Sequence, residues 1–253
     1  MFHIFRWRFV IHGGVDGYSR CIVFLTVSAN NRQETVAASF VDAVTRYGLP
    51  SRIRVDRGGE NNTICHIMET IRGPNRGSAI RGRSVHNQRV ERSWVDLWNG
   101  VTNVYSAVFH YLEDRRILDV DDELDLWVLH FVYMPRIQRD VSRYVVQWNN
   151  HKLRTEHHAT PLQLFVRRTL QLNLTNLATV EDVLPADARN LLEQHWAPAG
   201  NQEQAVTVPE IQCPLTEEQI ADIQANFDPL ENTEADNLGL QVYRRLRSYV
   251  QDL

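Results

Sequence analysis

Asp56 and Glu91 are the two residues of this chain whose type and placement suit phosphoryl chemistry. Asp56 closes the segment Arg52–Asp56, which reads as a short buried strand, and a polar glycine turn, Arg57-Gly58-Gly59-Glu60, follows at once. The carboxyl end of a strand is where an α/β sheet presents functional groups. Glu91 comes after 34 intervening residues, in the first turn of a predicted long helix. Carboxylate oxygens are hard donors that suit Mg²⁺ or Mn²⁺. Two such ions can clamp the attacking and leaving oxygens of a phosphodiester. Arg76, Arg81, Arg83, Arg89 and Arg92 surround Glu91 in sequence, and arginine forks onto phosphate bidentately. With Arg72 they make six arginines in 21 residues, where Glu91 is the only acid. Spacing alone still favours a plainer reading, in which Asp56 caps a turn and Glu91 is a solvated helix residue.

The elements that must position these residues can be read along the chain. Residues 5–12 alternate, with Phe5, Trp7, Phe9 and Ile11 on one face, which is the strand period. Gly13-Gly14 and Asp16-Gly17 are turn signals, and a second strand, Cys21–Val27, should hairpin back. Asn31 and Glu34 have capping-box spacing ahead of a helix with the stripe Val36, Phe40, Val44 and a stop at Gly48 and Pro50. Strand, strand, helix, strand predicts an α/β layer in which the strand Arg52–Asp56 lies parallel to one of the first pair. A short helix covers Thr63–Ile71, and Gly73–Arg83 reads as a loop without pattern.

From Asn87, the residues Val90, Trp94, Leu97, Val101, Val104, Val108 and Tyr111 keep helical spacing. Glu113–Asp125 reads as a solvated acidic linker whose end favours the N-terminus of the next helix, Leu124–Trp148, with a kink or break at Pro135. Thr160-Pro161 opens a helix over Leu162–Leu170. Beyond residue 170, short helices are expected at Pro185–His195, Thr216–Phe227 and Leu238–Val250.

Composition narrows the partners. The chain has 253 residues and a net charge of −4, but the total hides a split. Residues 1–170 hold 23 Lys+Arg against 17 Asp+Glu, whereas residues 171–253 hold 4 against 14. A basic body with an acidic tail points to nucleic acid as partner of the body. Lys152 is the only lysine. Cys21, Cys65 and Cys213 form no C-x-x-C, so neither a zinc ribbon nor a disulfide framework is supported. No apolar run approaches a membrane span, and no small-molecule cofactor is expected. A nuclear or cytoplasmic location is expected. The histidines His151, His157 and His158 lack a telling partner for metal binding, and a polar loop or contact with phosphate suits them better.

Three stretches, in order, resemble the catalytic core of retroviral and retrotransposon integrases. They are Val15-Asp16-Gly17-Tyr18-Ser19-Arg20, Val55-Asp56-Arg57-Gly58-Gly59-Glu60-Asn61 and Asn87-Gln88-Arg89-Val90-Glu91-Arg92. A fourth, Trp148–Phe165 (WNNHKLRTEHHATPLQLF), is similar to the segment closing that domain. The resemblance implies an RNase H-like mixed sheet flanked by helices over residues 1–168, followed by a mostly helical or partly disordered acidic appendage over 169–253. It implies binding of DNA ends, multimers, Mg²⁺ or Mn²⁺, and end processing and strand transfer by an Asp, Asp, Glu triad. Asp56 and Glu91 match two members of that triad, as catalytic and metal-binding residues. The matching first Asp belongs to a strand expected upstream of Met1, and Asp16 reads as a turn residue. The resemblance therefore implies an impaired polynucleotidyl transferase, or a non-catalytic module retained for nucleic-acid or protein contact.

Overall fold

A computed structural model of the chain describes residues 5–73, 75–82, 88–174, 208–232 and 238–253. Strands β1 (Val10–Val15) and β2 (Ile22–Ser28) pair antiparallel, with Val10 opposite Ser28 and Ile11 opposite Val27. The strand expected over 5–12 starts later, because Phe5–Trp7 forms a single 3-10 turn. Gly13-Gly14 is not the turn; both residues lie within β1. They are glycine because neighbours press close: a Cβ on Gly13 would stand 2.5 Å from Leu25 Cδ2, and one on Gly14 2.4 Å from the Phe24 ring. The turn falls on Asp16, whose Oδ2 accepts from Ser19 N at 2.7 Å and Ser19 Oγ at 2.6 Å.

Helix α1 (Gln33–Tyr47) follows, with Val36, Phe40 and Val44 buried as the stripe predicts. The Asn31–Glu34 capping box does not form. The N-cap position is Arg32, without a side-chain cap, and Asn30 ties the loop to the first turn, its Oδ1 accepting from Arg32 N at 3.1 Å and Thr35 Oγ1 at 2.7 Å. Strand β3 (Ile53–Val55) leads into α2 (Asn62–Arg72) and then β4 (Ala79–Arg81), inside the stretch expected to be patternless. β3 pairs with β4 in parallel, Ile53 opposite Ala79 and Val55 opposite Arg81. The parallel partner is thus β4 and not a hairpin strand. Among the described residues there are two two-stranded sheets where one mixed sheet was expected. The three-residue strands β3 and β4 find their backbone partners in each other, joined by the α2 crossover.

The predicted long helix is interrupted. Helix α3 (Gln88–Leu97) passes through a π turn at Trp98–Thr102 into α4 (Asn103–Asp114). The wider π turn takes in an extra residue and slips the buried stripe by one position. Leu97, Val101 and Val108 are buried as expected, but Tyr105 and Leu112 take the places predicted for Val104 and Tyr111, which are 43% and 39% exposed.

Helix α5 (Glu123–Asn150) begins at Asp122, whose side chain accepts from Leu124 N at 2.9 Å. Pro135 lies within it without ending it. One lost amide donor is outweighed by burial on both sides, where Val132, Tyr133 and Ile137 are fully enclosed. α5 also grips β2 through polar side chains. Asn149 Oδ1 accepts from Ile22 N at 2.8 Å while its Nδ2 donates to Ile22 O at 2.9 Å. Gln138 Oε1 accepts from Val27 N at 2.8 Å, and its Nε2 reaches Leu25 O at 3.4 Å.

Helix α6 (Pro161–Leu174) has a reciprocal cap, with Gln163 N donating to Thr160 Oγ1 at 3.1 Å and Thr160 N to Gln163 Oε1 at 3.0 Å. Helices α7 (Glu217–Asn226) and α8 (Leu240–Gln251) stand where two of the C-terminal helices were expected. The third, Pro185–His195, lies outside the described residues. Ile223 of α7 and Val242, Tyr243, Leu246 and Val250 of α8 enter the larger core, beside Phe109, Leu126, Val132 and Ile137. A second core joins α1, α2 and the underside of β3.

The acidic stretch Glu113–Asp125 is not simply solvated. Glu113 accepts from Arg6 and from the Trp7 indole. Asp125 is fully buried and holds Arg247 Nε at 2.6 Å and Nη2 at 3.0 Å. Burial is possible because the guanidinium neutralises the carboxylate and Asp119 N donates to it at 2.8 Å. No described helix is long and apolar enough to cross a membrane.

Candidate active site

Strand β3 delivers Asp56 to the carboxyl end of the parallel pair, where Gly82 N donates to Val55 O at 3.0 Å and closes the ladder. Asp56 is half-buried, and its Oδ1 accepts from Asn61 Nδ2 at 2.7 Å. Between them the chain makes a tight 3-10 turn, Gly59–Asn61. The Glu60 carboxylate folds back over Gly58, where a Cβ would lie 2.3 Å from both of its oxygens. Burial pushes the Glu60 carboxyl above its ordinary range, and the charge of Asp56 adds to the shift. The strand end thus carries two neighbouring acids and one amide, of which sequence reasoning singled out only Asp56. Gly58, two residues before the folded-back Glu60, is the signal that could have shown the close approach.

Glu91 stands exposed in the first turn of α3. Among the described residues, no group of three or more Asp, Glu, His or Cys side chains comes together to hold a metal ion. The described carboxylates therefore do not make up a divalent-metal cage. Asp16 is spent on its own turn. Cys65 is buried and its neighbour His66 exposed, as adjacent helix positions require. His151 turns its Nδ1 to Trp148 O and packs on the Trp148 ring at 4.6 Å.

The arginines of the basic stretch divide by what holds them. Arg72 donates to Leu49 O at 2.7 Å and Pro50 O at 3.2 Å, so it ties the end of α2 to the loop after α1. Burial lowers its pKa, and neighbouring Arg76 adds to that. Arg92 pairs with Asp96 one turn along α3, at 3.3 Å. Arg76 is exposed with a long contact of 3.4 Å to Ser51 Oγ. Arg81 is exposed beside Cys65, whose thiol burial pushes up against the arginine's pull. Arg83 and the side chain of Arg89 lie outside the described residues.

The strand-end acids and the exposed arginines of the same layer are the chemistry this half of the molecule offers. A protein-family model described as integrase core domain matches residues 1–179. No curated protein and no solved structure matches the chain.

Proposed function

Because the chain belongs to the integrase core domain family, with its RNase H-like DDE integrase fold, we propose that it is a DNA-binding integrase core with impaired phosphoryl transfer. The strand-end group carries this reading: Asp56 occupies the functional position of the parallel pair, yet it is held by Asn61 and gathers no third ligand among the described residues. We assign Asp56 and Glu91 as the carboxylates of the site and Mg²⁺ or Mn²⁺ as the ion the family chemistry calls for. A short ligand set weakens ion binding and the in-line geometry of transfer together. Arg76, Arg81, Arg83, Arg89 and Arg92 are assigned to the phosphate backbone. Multimers and a nuclear or cytoplasmic location go with this reading.

Two assays test it. The chain should bind DNA with an affinity that falls as salt rises, by about one unit of log–log slope per phosphate engaged. Strand transfer with Mg²⁺ or Mn²⁺ should be absent. Transfer that Glu91→Gln abolishes would overturn the impairment, and salt-independent or absent DNA binding would overturn the DNA reading. Titration of Mn²⁺ by calorimetry, with Asp56→Asn as the reference, isolates the metal: indistinguishable titrations remove Asp56 from that role.

A further inference from the structure

A second set of exposed cations comes from outside the Arg72–Arg92 stretch of the sequence, and it is built from three segments. The β1–β2 turn presents Tyr18, 58% exposed, and its hydroxyl makes no hydrogen bond among the described residues. The Arg168 guanidinium of α6 stands 5.5 Å from the centre of that ring. The same turn is locked to the loop before α6, as Arg20 donates to Glu156 at 3.1 Å and to Thr155 at 3.3 Å. Trp148 Nε1 closes the third side by donating to Arg20 O at 2.9 Å.

The loop itself is folded tightly. His157 and His158 take left-handed backbone angles of +51° and +61°, and Leu153 N bonds to Ala159 O at 3.0 Å. This leaves Lys152, Arg154, His157 and His158 exposed around the Arg20 contact, with Arg167 and Arg168 exposed on α6. Lys152, Arg154, Arg167 and Arg168 have no ion pair among the described residues. The two acids of these segments are both occupied: Asp16 by its own turn and Glu156 by Arg20. The surface is therefore net positive, held in place from below, and centred on one solvent-facing aromatic ring.

We propose that this face docks a single-stranded nucleic-acid segment. Tyr18 offers its free face to a base, with Arg168 holding the ring. Lys152, Arg154 and Arg168 take the flanking phosphates. The ring favours nucleic acid over an acidic peptide or an anionic membrane, because every base has a π-face to stack. The proposal rests on the DNA reading above and adds to it a location and a strand type.

The test uses the full chain, a labelled single-stranded oligonucleotide and the matching duplex, with binding measured across a salt series. Arg154→Glu with Arg168→Glu should weaken single-strand binding at least tenfold and lower the salt slope by roughly 1.4, about 0.7 for each lost phosphate contact. Tyr18→Ala should weaken the single strand more than the duplex, and Tyr18→Phe should keep wild-type binding. Arg154→Ala with Arg168→Ala serves where the reversal lowers the melting temperature. If these variants bind normally while Arg76→Glu with Arg81→Glu does not, this face is overturned and the DNA reading stands. If the wild-type chain binds neither oligonucleotide, both fail. Equal affinity for a polyglutamate peptide or phosphatidylserine vesicles would assign the face to another partner and overturn the proposal.

Discussion

Two buried ionisable groups carry much of what single residues can be asked about this protein. Asp125 is fully enclosed and depends on Arg247, itself three-quarters enclosed. Removing the guanidinium leaves an uncompensated buried charge, so Arg247→Ala should cost about 3–5 kcal/mol in denaturant unfolding. Adding Asp125→Leu should recover part of the loss, since a buried ion pair is replaceable by apolar volume. His130 stacks on Phe9 at 4.0 Å and gives one ring nitrogen to Trp7 O at 2.7 Å. Burial holds its pKa down to about 4, against an ordinary value of 6.5. In the unfolded chain the ring takes up a proton near pH 6.5, and in the fold it does not. Its contribution is thus complete above pH 6.5 and is lost as pH falls toward 4, on the order of 3 kcal/mol. The melting temperature should drop across that window, and His130→Phe should flatten the drop. Neither role was legible in the sequence: Asp125 sits in an acid run that looks solvated, and His130 only interrupts an apolar stretch. At the site, Asp56 was legible because a strand-end acid before glycines has a meaning, whereas the folded-back Glu60 has no periodic mark.

Elements with a sustained period were the readable ones. The stripe Val36, Phe40, Val44 and the Thr160-Pro161 start each lie where spacing placed them, because burial of one helix face leaves a repeat in the residues. β4 was hidden because three residues between glycine-rich turns carry no alternation. The π turn was hidden because a one-residue phase slip changes no composition, and it shows only as Tyr105 and Leu112 replacing Val104 and Tyr111 in the core. The start of α8 offers a test at this scale. Gly239 has φ of +80°, and a Cβ there would lie 2.6 Å from Arg136 Nε. Arg136 is itself buried, donating to Asn232 Oδ1 at 3.0 Å and to Glu231 O, so it has little room to yield. Gly239→Ala should destabilise by about 1–3 kcal/mol through the backbone angle alone. Ala38→Gly, at an exposed position of α1, should cost only about 1 kcal/mol. A thermal melt of each compares them.

For the molecule as a whole, the C-terminal helices belong to the energetics of the body. Their five core residues, with the Asp125–Arg247 and Arg136 contacts, cover the outer side of α5. A chain ending at residue 207 would expose that apolar face and strand two buried charged groups. It should unfold without a single cooperative transition when followed by circular dichroism, and it should bind a hydrophobic dye. The basic–acidic division read from composition is therefore a division of surface charge, while the core is shared. The grip of α5 on β2 bears on motion. Asn149 and Gln138 hold backbone groups of β2 that β1 does not reach, so that strand cannot release them while the helix stays wound. In heavy water, the Ile22 and Val27 amides should pick up deuterium at the rate of the α5 amides around Gln138 and Asn149, as one opening unit. The remaining hairpin amides would then report a faster, local fraying. An Asn149→Ala chain in which the Ile22 amide alone speeds up, with α5 unchanged, would show that strand and helix breathe independently.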